Sequence, residues 1–293
     1  MNETIVILGN GFDRDLGIDL SFNAYCNYHL CPAYNPLNID KKRWSDFENE
    51  IREKILSWYN NKKNEEYAKH INDEWKAFER YFSPFFTYTT NNNLKINVSS
   101  CAYLFLKNFS NKSKVYTFNY TYPYEYVELN LQKEFTFVHG RYSFDPYDEY
   151  RKILIPSQSQ NMIVGIDFKR MPETVKNNHY FIPIIKKLND AYVETNIIKD
   201  LLKAKYVIIF GLSVGITDSD YFDEFFTSIS NKTSNCQTIY YITKDEKGYE
   251  AFMKNIDILG YDKQIICSNV NIIPLYTEFG TDNDLFRKVL SLI

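Results

Sequence analysis

The sequence predicts an α/β fold built on a doubly wound, mostly parallel sheet, and three observations carry that prediction. Short runs that are apolar or β-branched nearly throughout, among them Thr4–Leu8, Lys114–Phe118 and Tyr206–Phe210, read as strands buried on both faces. Helical stretches separate these runs, and no hairpin signal joins any two of them. The first strand also enters a glycine turn, Gly9-Asn10-Gly11, that leads into a helix start.

The elements follow in order. A strand, a glycine turn and a helix start can cradle a phosphate, because the first helical amides point at the turn unpaired. The same turn can equally be a tight connection that binds nothing. Leu16–Leu30 reads as a short helix or loop, interrupted by Pro32 and Pro36. A dehydrogenase-type dinucleotide unit needs a second strand here and a third glycine in G-x-G-x-x-G. Neither is present, since Arg14 stands at the third glycine's position.

From Trp44 the spacing changes. Ile51, Ile55, Trp58 and Tyr59, then Trp75, Phe78, Tyr81 and Phe82, recur three and four apart, which predicts two amphipathic helices separated near Asn60–Asn64. Asn91-Asn92-Asn93 marks a loop, and Val98–Phe109 a further helix. Residues of about 41–112 are therefore expected to be a helical insertion in a single domain spanning 1–293.

Strand signals return at Lys114–Phe118, which ends in Asn119-Tyr120-Thr121. A helix is expected from Pro123 to about Gln132, then a strand Phe135–Val138 ending in His139-Gly140. A Tyr- and Ser-rich loop follows over 141–161, and a short strand over Met162–Val164. Phe181–Lys203 reads as helix, Tyr206–Phe210 as the most strand-like run, and Asp218–Ile229 as helix. Ile239–Thr243 (strand), Glu246–Leu259 (helix), Asn271–Leu275 (strand) and Asn283–Leu292 (helix) complete the chain.

In an open parallel sheet, ligands bind beyond the carboxyl ends of the strands. Four such ends carry polar or glycine punctuation: Gly9-Asn10-Gly11, Asn119-Tyr120-Thr121, His139-Gly140 and Gly211-x-Ser213. His139 alone among four histidines directly follows a buried-looking strand. Its imidazole can take or give a proton near neutral pH, or simply pack at the rim of the sheet. The Asn119 amide both donates and accepts, which suits orienting a sugar hydroxyl or carboxamide, or closing an Asx turn. Ser213 can bind a ribose or phosphate, or cap a turn. Asp13 can complement a helix start as a capping residue or face a ligand. Asp218 and Asp220 read first as helix-start residues, and Arg14 as a phosphate partner or a surface ion pair.

Bulk properties narrow the class. A net charge of −3, and basic clusters such as Lys41-Lys42-Arg43 flanked by acidic residues, argue against a nucleic-acid partner. No run approaches the roughly 18 apolar residues of a membrane span. The N-terminus enters a strand within a few residues, so no secretory signal is expected. Five scattered cysteines without a C-x-x-C pair favour reduced thiols in a cytoplasm over disulfides or zinc, and no metal site is expected. The 25 Tyr and 22 Phe are ascribed to nucleotide bias in the source.

Taken together, G-N-G-F-D at 9–13, W-S-D-F-E at 44–48, T-F-N-Y-T at 117–121, H-G at 139–140 and G-L-S-V-G-I-T-D-S-D-Y-F at 211–222 resemble the bacterial AbiH abortive-infection family. That family is in turn similar to sirtuin-like NAD-binding proteins of phage defence. The resemblance implies a Rossmann-like, sirtuin-like sheet and an antiphage effector that binds NAD and hydrolyses its nicotinamide–ribose bond. The alternative is a non-catalytic sensor that binds NAD or a related nucleotide and signals to a partner. It implies that Gly9, Asn10 and Gly11, with Phe12 and Asp13 of the same motif, meet the NAD phosphates. Asn119, with Thr117 of its motif, meets the nicotinamide ribose. Gly211 and Ser213 lie at the loop that holds the adenosine ribose, Asp218 is a further cofactor-binding residue, and His139 is the catalytic histidine, with Asn119 its catalytic partner. Asp13 stands where the sirtuin motif has serine, and Thr121 where an aspartate is common. A homo-oligomer and an unidentified phage trigger are the further partners expected.

Overall fold

The computed structural model describes residues 3–26, 44–61, 64–92, 94–129, 133–142, 162–231 and 237–293. The expected 141–161 loop lies outside these residues from 143 onward, as do Pro32 and Pro36.

Six strands form one sheet: β1 (Thr4–Leu8), β2 (Ser113–Thr117), β3 (Phe135–Phe137), β4 (Tyr206–Phe210), β5 (Thr238–Thr243) and β6 (Asn271–Tyr276). Their order is β3-β2-β1-β4-β5-β6, and every neighbouring pair is parallel. The α/β, doubly wound Rossmann-like expectation holds. All five residues of β1 are buried, because a central parallel strand is covered on both faces. Leu8 lies level with Thr117 of β2 and Phe210 of β4. Three strands therefore end at one height, where the strand order reverses direction. Crossovers to opposite sides leave a crevice at such a switch point.

In chain order the helices are α1 (Asn10–Leu16), α2 (Phe22–Cys26), α3 (Trp44–Asn60), α4 (Glu65–Asn92), α5 (Cys101–Asn108), α6 (Glu173–Lys176), α7 (Ile197–Lys203), α8 (Ser219–Ser230), α9 (Glu246–Ile258), α10 (Lys263–Asn269) and α11 (Asp284–Leu290). Side-chain caps fix several starts. Ser100 accepts from Tyr103 N–H, Asp245 from Gly248 N–H, Asp262 from Gln264 N–H and Asn283 from Phe286 N–H. None of the helices among the described residues is long and apolar enough to cross a membrane.

The chain divides into two compact units, one of residues 1–18, 95–138 and 194–293 and the other of 19–94 and 139–193. The first holds the sheet. The expected insertion is split by this division, with 41–94 in the second unit and 95–112, including α5, in the first.

The second unit is built on α3 and α4, the two helices foreseen from the three-four spacing. Its core is aromatic. Phe47 lies 4.5 Å from Phe78 and 6.0 Å from Trp75, ring centre to ring centre, and Tyr25 meets Phe78 at 5.4 Å and Phe85 at 5.3 Å. Phe22, Phe82 and Phe86 extend the cluster. Each ring hidden this way stabilises by about 1.5–3 kcal/mol, so these aromatics have a packing role.

Three local expectations are corrected. Phe181–Lys203 is not one helix: it forms 3-10 turns at Ile182–Ile184 and Lys186–Leu188 before α7. Pro183 brings no N–H, and backbone bonds run sideways instead, from Ile166 N–H to Ile184 O and from Lys186 N–H to Ile166 O. Met162–Val164 is not a strand, and only Ile166 makes an isolated bridge, to Ile185. After Pro123 the described residues hold one 3-10 turn, Pro123–Glu125, with Tyr124 donating its hydroxyl to Leu106 O at 2.7 Å. In addition α4 continues through Asn91 and Asn92, and α10 was not foreseen.

Candidate functional site

The sheet unit's candidate site grows from the level ends of β1, β2 and β4. Where β1 stops, Gly9 N–H donates to Phe210 O, Gly11 N–H to Gly211 O and Phe12 N–H to Gly9 O, each at 2.9 Å. The turn is thus clamped to the end of β4 by backbone alone. The glycines have a steric cause. A Cβ on Gly9 would stand 2.6 Å from the Leu212 Cα, and one on Gly11 2.6 Å from the Gly211 Cα. Gly211 itself has φ +69 and would put a Cβ 2.5 Å from Gly11. Two loops pass each other at a distance that no side chain permits.

The end of β2 closes on the same turn. Asn119 is buried, takes its place through its N–H on Thr117 Oγ1 (3.1 Å), and donates from Nδ2 to Gly9 O at 3.0 Å. Below it, Asp13 is only 1% exposed. Its Oδ2 accepts from the Thr121 hydroxyl, while its Oδ1 is buried with no hydrogen-bond partner among the described residues. Burial outweighs the lowering by Thr121 and the nearby Asn119 amide and pushes the Asp13 carboxyl up to about 7. Asp13 is not the cap of α1, because Gly9 occupies that place without a side-chain bond. It sits one turn inside, where Thr121 reaches it.

Beyond β4, the chain runs through Leu212–Gly215 to α8. Tyr241 donates its hydroxyl to Leu212 O at 3.0 Å, and Asn255 donates to Ser213 O at 2.7 Å. Val214 takes φ 51, rare for a β-branched residue and held by this anchoring. Asp218 stands at the start of α8 without a side-chain cap bond, and Ser219 and Asp220 are buried behind it.

His139 follows β3 and belongs to the second unit. There it is 5% exposed, with its carbonyl accepting from Ile163 N–H at 2.8 Å. Burial, and next the positive charge of Lys186, hold its imidazole well below the usual histidine range. It is therefore neutral near pH 7, the form that can accept a proton, though a weak base. Lys186 is 1% exposed and pairs with Glu48 at 3.2 Å; Glu48 also accepts from Gly165 N–H at 3.2 Å. One turn along α3, Arg52 donates to the buried Asp167 at 2.9 Å.

Thus Gly9, Asn10, Gly11, Phe12, Asp13, Thr117, Asn119 and Gly211 come together at one sheet edge, with Ser213 and Asp218 on the loop continuing from Gly211. His139 lies in the other unit. Sequence reasoning missed the Thr121–Asp13 bond and the Glu48–Lys186 and Arg52–Asp167 pairs. Glu48 did stand in the W-S-D-F-E motif, but nothing in the sequence signalled a partner 138 residues away.

The sequence model of one family, described as Bacteriophage abortive infection AbiH, matches residues 5–241. That span runs from β1 into β5 and includes every candidate residue above. The comparison with curated proteins gave no match.

Proposed function

The chain belongs to the bacteriophage abortive infection AbiH family, and from that premise we propose that it is an antiphage effector that binds NAD and hydrolyses its nicotinamide–ribose bond. The observation carrying this reading is the convergence of three strand ends at the switch point, where Asn119 closes on the Gly9–Gly11 turn above the buried Asp13. Such a place suits a ligand with an extended phosphate and ribose backbone.

In this reading the Gly9-Asn10-Gly11 turn and the helix it starts hold the diphosphate, and Gly211 and Ser213 hold the adenosine ribose. Asn119, set by Thr117, orients the nicotinamide ribose. Cleavage gives the ribose oxocarbenium character, as in glycoside hydrolysis. His139, neutral, accepts a proton from a ribose hydroxyl or from water, and a carboxylate, Asp13 or Asp218, offsets the developing positive charge. No metal takes part. Depletion of NAD then disables the infected cell once a phage trigger releases the effector.

One observation favours a second reading, a sensor that binds NAD or a related nucleotide without turnover. His139 is a poor proton acceptor, because its surroundings hold it well below the usual range. Purified protein incubated with NAD, with free nicotinamide followed by chromatography, separates the two. The effector reading expects release that is lost in His139→Ala and in Asn119→Ala. Binding with no release over many hours would leave the sensor; release that persists in both variants would remove these residues from the reaction.

A further inference from the structure

The loop between β4 and α8 carries more hydrogen-bond donors than its own fold uses. Tyr241, on β5, donates to Leu212 O at 3.0 Å, and Asn255, on α9, donates to Ser213 O at 2.7 Å. These peptide bonds are trans, so a carbonyl held on one side turns the next N–H to the other. The N–H groups of Ser213 and Val214 therefore both point away from Tyr241 and Asn255. Among the described residues the N–H groups of Leu212, Ser213, Val214 and Gly215 make no hydrogen bond. Leu212, Val214 and Gly215 are buried, where unpaired N–H groups are rare. Val214 has φ 51, and a left-handed residue within such a run curls successive N–H groups into an anion-binding concavity.

A second donor stands beside them. Ser219 opens α8, a helix of 12 residues. It is fully buried, and its Oγ has no hydrogen-bond partner among the described residues. A helical side chain leans toward the N-terminus of its helix, so this hydroxyl is aimed back at the loop. Asp218 and Asp220 flank Ser219 and already interact with other groups. What the loop leaves for a ligand is a set of donors, and a group with several acceptor oxygens answers it better than a single sugar hydroxyl. Resting on the reading that these strand ends hold NAD, we infer that the N–H groups of residues 213–215 and the Ser219 hydroxyl cradle the phosphate next to the adenosine ribose, with Tyr241 and Asn255 as the positioning residues that draw two carbonyls out of its way. Asn255 lies beyond the residues 5–241 that match the AbiH family. Freed from its anchor, either carbonyl can swing toward the phosphate and set oxygen against oxygen.

The test is a calorimetric titration of the full-length protein with AMP, adenosine and NAD, with the backbone amides followed by NMR. AMP should bind about tenfold or more tightly than adenosine. The amide signals of Ser213, Val214 and Gly215 should move downfield with AMP and not with adenosine. In Tyr241→Phe, which keeps the ring stacked on Phe252, and in Asn255→Ala, the preference for AMP should fall to about threefold or less. That ratio is a readout that a general loss of stability does not move. A preference for AMP that survives in both variants, with the three amides unmoved, would overturn the cradle. If NAD binds while AMP and adenosine bind alike, the cradle is wrong and the NAD reading stands. If AMP shows the preference and the amide shifts while NAD does not bind, the NAD reading fails and the phosphate cradle stands. No binding of any of the three contradicts both.

Discussion

Replacing Asp13 by asparagine should change how the stability of this protein depends on pH. In the fold, burial holds the Asp13 proton to about pH 7, against 3.8 for an ordinary aspartate. Folding therefore takes up a proton between those values. The stabilisation from keeping that proton is fully present below the unfolded value and is lost as pH rises through the folded one. Worked through the linkage relation, the Asp13 contribution falls by about 3 kcal/mol between about pH 5 and about pH 8. The amide in the Asp13→Asn variant keeps an oxygen for the Thr121 hydroxyl but carries no titrating proton. Urea unfolding of wild type and Asp13→Asn at matched pH isolates the term, because other titrating groups are common to both. Wild type should lose stability relative to the variant by about that amount across the window. A difference that stays constant with pH would refute the burial argument for Asp13.

Other outcomes follow from the same contacts. Lys186→Met should destabilise by about 3–5 kcal/mol, since it removes the cation paired with the buried Glu48 carboxylate, and adding Glu48→Gln should recover much of the loss in urea unfolding. Gly211→Ala places a Cβ at φ +69 and 2.5 Å from Gly11. It should cost at least about 1–2 kcal/mol and lower the melting temperature, where Gly260→Ala, with open space around it, should cost only its backbone strain. The imidazole of His139 should show no titration by NMR between about pH 6 and about pH 8, because its folded value lies well below 6.5. As pH falls below the unfolded value, that same group draws stability from the fold, and His139→Gln should lessen the loss.

Much of the sheet was legible because a parallel strand buried on both faces has to be short, apolar and β-branched. Thr4–Leu8, Tyr206–Phe210 and Ile239–Thr243 meet that requirement without help from neighbours. The α3–α4 pair was legible for the same kind of reason, since its aromatic spacing follows the helical period. Where tertiary pairing governs, the sequence said less. Phe181–Lys203 has helical spacing, yet Pro183 and the backbone bonds to Ile166 turn it into 3-10 pieces. Helix α10 escaped notice although Asp262 caps it, because its seven residues bury only Ile266. At the candidate site the glycines were visible from their turn, and Asn119 from its place after a strand. The close approach of Gly11 to Gly211, 200 residues on, was not visible, nor was the Asp13–Thr121 bond, because only the assembled sheet brings those ends level.

The most direct measurement is a titration of the full-length protein with NAD, in wild type and in Asn119→Ala. Saturable one-to-one binding that weakens about tenfold or more in the variant is the result expected if the ends of β1, β2 and β4 form the NAD site. Binding unchanged by the substitution, or no binding at any concentration tried, would contradict it.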